Sequence, residues 1–242
     1  MPENNNVLIF VIALSLPVVF LVIMMRIIKK AKEKQIAQTK KDNEVGISYY
    51  NKIMNMNYNE LVEFLIDKYG HAKYDYFTNE NCQSKNKKVS RTSEGLYCHH
   101  IDEDKAIMLS NDQFAIKNPF KYQKADRLVY CNLLEHLLLH ILIAEEPKNI
   151  NANKNEIQGI GGAVCFLCKQ LNDLYSGYKY KQAWMINTTS LVKNDYESYI
   201  IMLRRLWKFI KNDRNLSLYI SKKDLARGFN NNLYKKILRE LS

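Results

Sequence analysis

The chain has 242 residues, 47% of them hydrophobic, a size and apolar content that suit one ordinary domain or a domain with a smaller appendage. Its net charge of +11 speaks about partners rather than fold, and points to polyanions. Its five cysteines, an odd number without framework spacing, argue against a disulfide scaffold and for free thiols in a reducing compartment.

In chain order, the first element is "VLIFVIALSLPVVFLVIMM", residues 7–25, which are uncharged throughout. As a helix they would rise about 28 Å, close to the hydrocarbon thickness of a bilayer, and no polar stripe marks them as a core helix. They read as a transmembrane helix. The preceding "MPENNN" has no basic residue, unlike a signal peptide. Residues 26–41 carry seven basic residues against one acid, so the positive-inside rule keeps everything after the span in the cytoplasm, with the basic flank on anionic lipid.

A charged helical linker runs to about Glu44. "NYNELVEFLIDKYG", residues 57–70, reads as an amphipathic helix with Leu61, Phe64 and Leu65 on one face and Gly70 as its stop. Residues 74–77 have strand character and 78–95 are polar enough for a loop or a weak hairpin. "LYCHHI" reads as a strand, 104–126 as an irregular excursion, and "RLVYC", 127–131, as a second strand. Asn132 stands at an N-cap position before the apolar helix "LLEHLLLHILIAEE", which Pro147 stops. "PKNINAN" marks a soft boundary, and helices follow over 156–175, 196–211 and 222–241, the last with Ser221 as N-cap.

Four of the five histidines fall in two compact motifs. His136 and His140, at i and i+4, lie on one helix face and can present two imidazoles to one divalent ion. An isolated pair of this kind in so apolar a helix also suits core packing, but the second pair, His99-His100, shifts the balance to metal binding or catalysis. Neighbouring residues of a strand point to opposite faces, so both can serve one site only if the strand ends, bulges or twists there.

"CHHIDED", "RLVYC" and "EHLLLH", in that order and spacing, resemble the HNH (ββα-metal, His-Me finger) nuclease family over residues 96–143. The resemblance implies that His100 is the general base activating water and that His99, His136 and His140 hold a divalent ion, Mg, Mn or Zn, which stabilises the scissile phosphate and the leaving group. It also implies an Asn that orients the base. Where many members have it the chain has Arg127, preceded by Asp126, so Asn111, with Asn118 as the alternative, is assigned the role. Asp102 and Asp104 either supply additional ligands or orient a histidine, or form a solvated acidic turn.

"CFLC", Cys165 to Cys168, has zinc-ligand spacing but no partner pair, and reads as buried thiols on a helix. "GIGGA" is not a complete dinucleotide fingerprint. "SGYKYKQAW" sets Tyr178, Tyr180 and Trp184 among Lys179 and Lys181, either a base-stacking surface or core aromatics. Residues 204–242 hold eleven basic residues and three acids, which makes nucleic acid the leading partner. Arg204, Arg205, Lys208 and Lys211, with Lys179, Lys181 and Arg127, are the candidate nucleic-acid contacts, although the face of the helix over 196–211 also suits solvent or lipid.

The expectation is an α+β, mostly helical chain: a transmembrane anchor (1–28), a basic juxtamembrane linker (29–45), a domain with a ββα-metal finger (46–146) and a basic helical region (147–242). It is expected at the cell membrane, single-pass, with its C-terminal domain cytoplasmic. In layout it is similar to membrane-anchored abortive-infection proteins that confer phage resistance. The activity expected is metal-dependent endonucleolytic cleavage of DNA or RNA. The alternatives are a non-catalytic nucleic-acid-binding protein on a degenerate HNH scaffold and a structural membrane protein.

Overall fold

The computed structural model describes residues 4–146, 158–210 and 231–241. The chain forms two compact units, Met1–Gly46 and Ile47–Ser242. The first is most of one long helix, α1 (Asn4–Met54), whose described side chains from Phe20 to Glu44 are exposed.

Among the described residues no helix is long and apolar enough to cross a membrane. This corrects the expected transmembrane span over 7–25 and, with it, the single-pass cell-membrane location and the cytoplasmic orientation drawn from that span. The apolar run is not a separate element. It opens a single helix that continues through Arg26, Lys29, Lys30, Lys32 and Lys34, so charge enters the described turns at almost every step. The likeness in layout to membrane-anchored phage-resistance proteins loses the anchor, one of the features it was drawn from.

The second unit is mostly helical around a two-stranded sheet. The last turns of α1 bury Tyr50 and Ile53 in its core. Helix α2 (Tyr58–Tyr69) begins with a capping box: the Asn57 side chain accepts from the Glu60 amide at 3.0 Å, and the Glu60 carboxylate accepts from the Asn57 amide at 2.8 Å. Gly70, at φ 80°, ends it where an L side chain would be strained. The strand expected over 74–77 reduces to a single bridge, Phe77 to Lys85, because Phe77 is drawn into a small cluster with Cys82 and Ala115.

Strand β1 (Tyr97–His100) pairs antiparallel with β2 (Leu128–Cys131), with Tyr97 opposite Cys131, Cys98 opposite Tyr130, His99 opposite Val129 and His100 opposite Leu128. The alternation of the pleat sorts these pairs between two cores. Val129 and Cys131 belong to the large cluster, whereas Leu128 and Tyr130 belong to a smaller one with Val89 and Leu96. The excursion between the strands contains one short helix, α3 (Asp112–Ala115).

Helix α4 (Leu133–Glu145) follows β2 after Asn132, whose side chain accepts from the amides of Leu134 and Glu135. Eleven of its 13 residues are buried, so it is the central helix rather than an amphipathic surface one. Glu135, fully buried, accepts a hydrogen bond from the Asn132 amide and is neutralised by Lys68 at 2.7 Å, with Tyr49 and Tyr69 donating to the same carboxylate.

Around α4 pack α5 (Ile160–Gly162), a π-helical segment (Ala163–Leu167) that continues it, α6 (Cys168–Tyr175) and α8 (Tyr196–Ile210), while α7 (Ala183–Ser190) lies against α6 and the 3-10 turn Thr92–Glu94. Helix α9 (Asn231–Leu241) buries Leu233 and Ile237. One core joins Leu137 and Leu138 of α4 to Val164, Leu171, Tyr199 and Leu203, so the boundary drawn near 147 does not divide the hydrophobic interior. Ser221 and the first half of the helix expected over 222–241 lie outside the described residues.

Candidate metal centre

Three histidines meet where β1 abuts α4. The rings of His99, His136 and His140 lie 5.0–5.2 Å apart, centre to centre, and one ligand nitrogen from each falls within 4.8 Å of the others. His99 and His140 are buried and His136 half-buried. This buried cluster could hold a metal ion. The i, i+4 spacing on α4 supplies two rings, and the face of β1 that carries Val129's partner supplies the third.

Neighbouring groups set which nitrogen each ring leaves bare. The Tyr58 hydroxyl donates to the Ile101 carbonyl at 2.8 Å and lies 3.0 Å from His99 Nε2. With its proton committed, the hydroxyl accepts, so Nε2 of His99 is the protonated nitrogen and Nδ1 keeps its lone pair. His140 Nδ1 lies 3.1 Å from the Gly159 carbonyl, an acceptor only, so this ring donates through Nδ1 and keeps the lone pair on Nε2. Such outer partners, a carbonyl or an oriented hydroxyl, are what metal-binding histidines require to fix their tautomers.

Burial holds all these rings neutral. His99 and His136 titrate well below the ordinary imidazole range, first through burial and then through repulsion from the neighbouring rings. His140 is lowered to about 4 by burial, against the pull of the Gly159 carbonyl. Neutral imidazole is the ligand form. The Nδ1 atoms of His99 and His136 are buried without a hydrogen-bond partner, which is costly unless something else occupies their lone pairs.

His100 points to the other face of the strand, against Tyr76, with ring centres 4.4 Å apart. Its Nε2 lies 2.8 Å from Gln123 Oε1, and Gln123 Nε2 donates to the Leu109 carbonyl at 3.1 Å. The amide is therefore oriented with its oxygen toward the ring. His100 donates through Nε2 and leaves Nδ1 bare, buried and without a hydrogen-bond partner. Burial lowers this ring to about 4, with the Gln123 hydrogen bond opposing.

The strand ends at His100 and enters a 3-10 turn, Ile101–Asp104. That ending brings the adjacent histidines to a common group, Glu103. One carboxylate oxygen lies 3.7 Å from His99 Nδ1 and 3.4 Å from His140 Nε2, and the other 3.8 Å from His100 Nδ1. Burial pushes the Glu103 carboxyl up to about 8. The sequence reading weighed Asp102 and Asp104 and passed over Glu103. The signal was present in the spacing, since Glu103 stands at i+4 from His99 and i+3 from His100.

Asp102 is turned away from the cluster. Arg127 grips it with two hydrogen bonds of 2.7 Å and Lys105 with one of 2.6 Å. Burial pushes the Asp102 carboxyl up, and the hydrogen bonds and charges of these two residues outweigh it, holding the group below the usual range.

Asn111 is not the residue that holds His100. Its side chain caps α3, accepting from the Gln113 amide at 2.9 Å, and the Asn118 side chain donates to the Phe114 carbonyl. Gln123 has taken the place assigned to Asn111, because its amide reaches both His100 and Leu109 while Asn111 is consumed by the helix it begins. The "GIGGA" motif also belongs here. Gly159, at φ 87°, brings its carbonyl to His140, and a Cβ on Gly162 would fall 2.3 Å from His140 Cε1.

Of the candidate nucleic-acid contacts, three are ion-paired inside the fold. Arg127 holds Asp102; Arg204 binds the carboxylate and carbonyl of Glu240; Arg205 binds Glu145 and the Met54 carbonyl. Lys179, Lys181 and Lys208 are exposed, and Lys211 lies outside the described residues. Tyr178 and Tyr180 meet edge to face, the Tyr180 hydroxyl donates to Asp173, and Trp184 is exposed. Of the "CFLC" pair, Cys168 is buried and Cys165 half-buried; both are free.

Comparison of the chain with protein-family models, with curated proteins and with solved structures finds no match.

Proposed function

We propose that the protein is a metal-dependent hydrolase of nucleic-acid phosphodiesters, of the HNH type its motifs resemble. The observation that carries this reading is the tautomer pattern. His99 and His140 turn their lone pairs toward one point beside His136, while His100, on the next residue, keeps a bare Nδ1 on the same carboxylate.

Three imidazoles form a donor set that suits a transition ion such as zinc better than magnesium. A divalent ion held there would supply Lewis acidity to a phosphate oxygen and the leaving group. His100 takes the proton of the attacking water through Nδ1. Gln123 keeps that nitrogen bare and the ring fixed, and burial keeps the ring neutral at pH 7. The net charge of +11 and the exposed Lys179, Lys181 and Lys208 favour a polyanionic substrate.

A second reading, a binding protein with a structural metal, is favoured by Glu103, which stands where a phosphate would have to enter. Labelled single- and double-stranded DNA and RNA, incubated with the full chain in Mg, Mn, Zn or EDTA beside His100→Ala, separate the two. Cleavage that needs metal and disappears with His100 is expected. Salt-sensitive binding without product, unchanged in the variant, would establish the binding protein instead.

A further inference from the structure

Glu103 is a nearly buried carboxylate facing neutral rings. Its side chain is 14% exposed, and among the described residues the only nitrogen bases within ion-pairing distance are the histidines. Each of those rings is itself buried and poor at holding charge. A carboxylate in this position lacks the cation that buried acids require. Glu135, on the same helix as His136 and His140 and fully buried, shows the contrast, since Lys68 neutralises it.

The aim of Glu103 is set by its neighbours. Tyr58 holds the carbonyl of Ile101, Arg127 and Lys105 hold the side chain of Asp102, and the amides of Lys105 and Ala106 return to the Asp102 carbonyl. With the turn pinned on both sides, Glu103 points inward, to the rings.

Toward two of the three rings, His99 and His140, the spacing is that of ligands around a common ion. Donors at roughly 2.0–2.1 Å from a tetrahedral zinc stand about 3.3 Å from one another. Glu103 lies 3.4 Å from His140 Nε2 and 3.7 Å from His99 Nδ1, in each case from the nitrogen that carries the lone pair.

We propose that Glu103 is the fourth protein donor of the centre, which makes it a three-histidine, one-carboxylate site that is closed at rest. This rests on the metal centre of the proposed function and deepens it. With an ion bound, Glu103 would take the position a phosphate oxygen would need, so the same residue that completes the site would also guard it. Arg127, in the position where the resembling family has Asn, serves to pin the turn that carries this donor.

The test is titration of the full chain, stripped with chelator, with Co2+, followed in the visible and by competition with a chromophoric chelator. The wild type is expected to show the intense bands of four-coordinate cobalt. Glu103→Gln, which keeps shape and loses the anionic donor, is expected to change those bands and to weaken affinity by at least the roughly 10- to 100-fold that loss of an outer partner costs such sites. Asp104→Asn, beside it in the turn, is expected to leave both unchanged. Glu103→Asp, which keeps the charge and draws it back, is expected to shift the bands as well; circular dichroism of each apo variant reads its folding independently. A wild type that binds no Co2+ overturns the metal centre itself. A wild type that binds, with Glu103→Gln and Glu103→Asp giving the same spectrum and affinity, overturns the role of Glu103 alone.

Discussion

Gln123 holds His100 by a 2.8 Å hydrogen bond from the ring's Nε2 to its amide oxygen, and a second bond, to the Leu109 carbonyl, prevents that amide from turning over. The pair is fully buried, and its consequence is directional: one imidazole nitrogen is occupied and the other left bare beside Glu103. A ring so held has its orientation and its bare nitrogen set by the fold, which is what the proposed base requires.

Gln123→Ala is therefore expected to lower kcat about 10- to 100-fold with KM and metal affinity little changed, since it loosens the base without touching the ligands. Gln123→Glu sets a carboxylate against the protonated Nε2 and favours the charged ring. The base must be neutral to act, so the acid limb of the pH–rate profile, which follows His100 at about 4, is expected to move to higher pH. A profile that stays in place would remove His100 from the base role.

Arg127→Ala separates a structural from a nucleic-acid-binding arginine. The variant leaves the buried Asp102 with Lys105 alone, and the unfolding free energy is expected to fall by about 2 kcal/mol. Urea denaturation reads this loss. Salt-dependent nucleic-acid binding at a temperature where the variant remains folded is expected to match wild type. If instead stability holds and the salt slope drops by about one, Arg127 faces a phosphate.

How much of this centre was legible follows from what kind of signal each residue carries. His136 and His140 announce themselves by helical spacing, and His99-His100 by adjacency at the end of an apolar strand, and the family resemblance set the four rings near one place. Gly70 and Asn132 were equally readable as a stop and a start, because capping is local chemistry. Gln123 was not, since its partner is 23 residues away across an irregular excursion and nothing in its immediate sequence marks it. Asn111 attracted the role through its residue type, while its own amide was already committed to the helix beginning at Asp112. Glu103 was hidden between two more conspicuous acids, and only the 3-10 turn decides which of the three points inward. At the N-terminus, composition over one window misled, because the apolar run is the beginning of a helix that continues into charge.

The apo protein is expected to be most stable near pH 6.5. His100 and His140 have folded values near 4 against 6.5 unfolded, so the unfolded chain binds protons first as pH falls. Their contribution is complete above pH 6.5 and is lost on descent to about 4, at roughly 3 kcal/mol each. Glu103 acts in the opposite sense. Its folded value near 8 against 4.5 unfolded means that its contribution is present below pH 4.5 and is lost as pH rises to 8. Between 4.5 and 6.5 the histidines outnumber the single carboxyl, and above 6.5 only Glu103 remains. Thermal melts in EDTA from pH 4.5 to 8.5 should show a maximum, and Glu103→Gln should remove its alkaline side. A wild-type Tm that climbs steadily to pH 8.5 would mean that Glu103 is solvated rather than held among the rings.

Gly162→Ala tests whether the glycine motif serves the metal centre. A Cβ at this position would fall 2.3, 2.7 and 2.9 Å from Cε1, Nδ1 and Nε2 of His140, so the whole ring, not a flexible chain end, stands in the way. The ring is fixed from the far side by α4 and through Nδ1 by Gly159, and neither can yield without breaking the bond that sets its tautomer. Overpacking of this kind costs about 1–3 kcal/mol. The variant should therefore lose stability in the apo form and, in addition, bind Co2+ at least tenfold more weakly. Gly161→Ala, one residue earlier, meets nothing within 4 Å and should leave both properties intact. Equal behaviour of the two variants would mean that α5 does not seat against His140, and that the third ring of the centre owes its position to α4 alone.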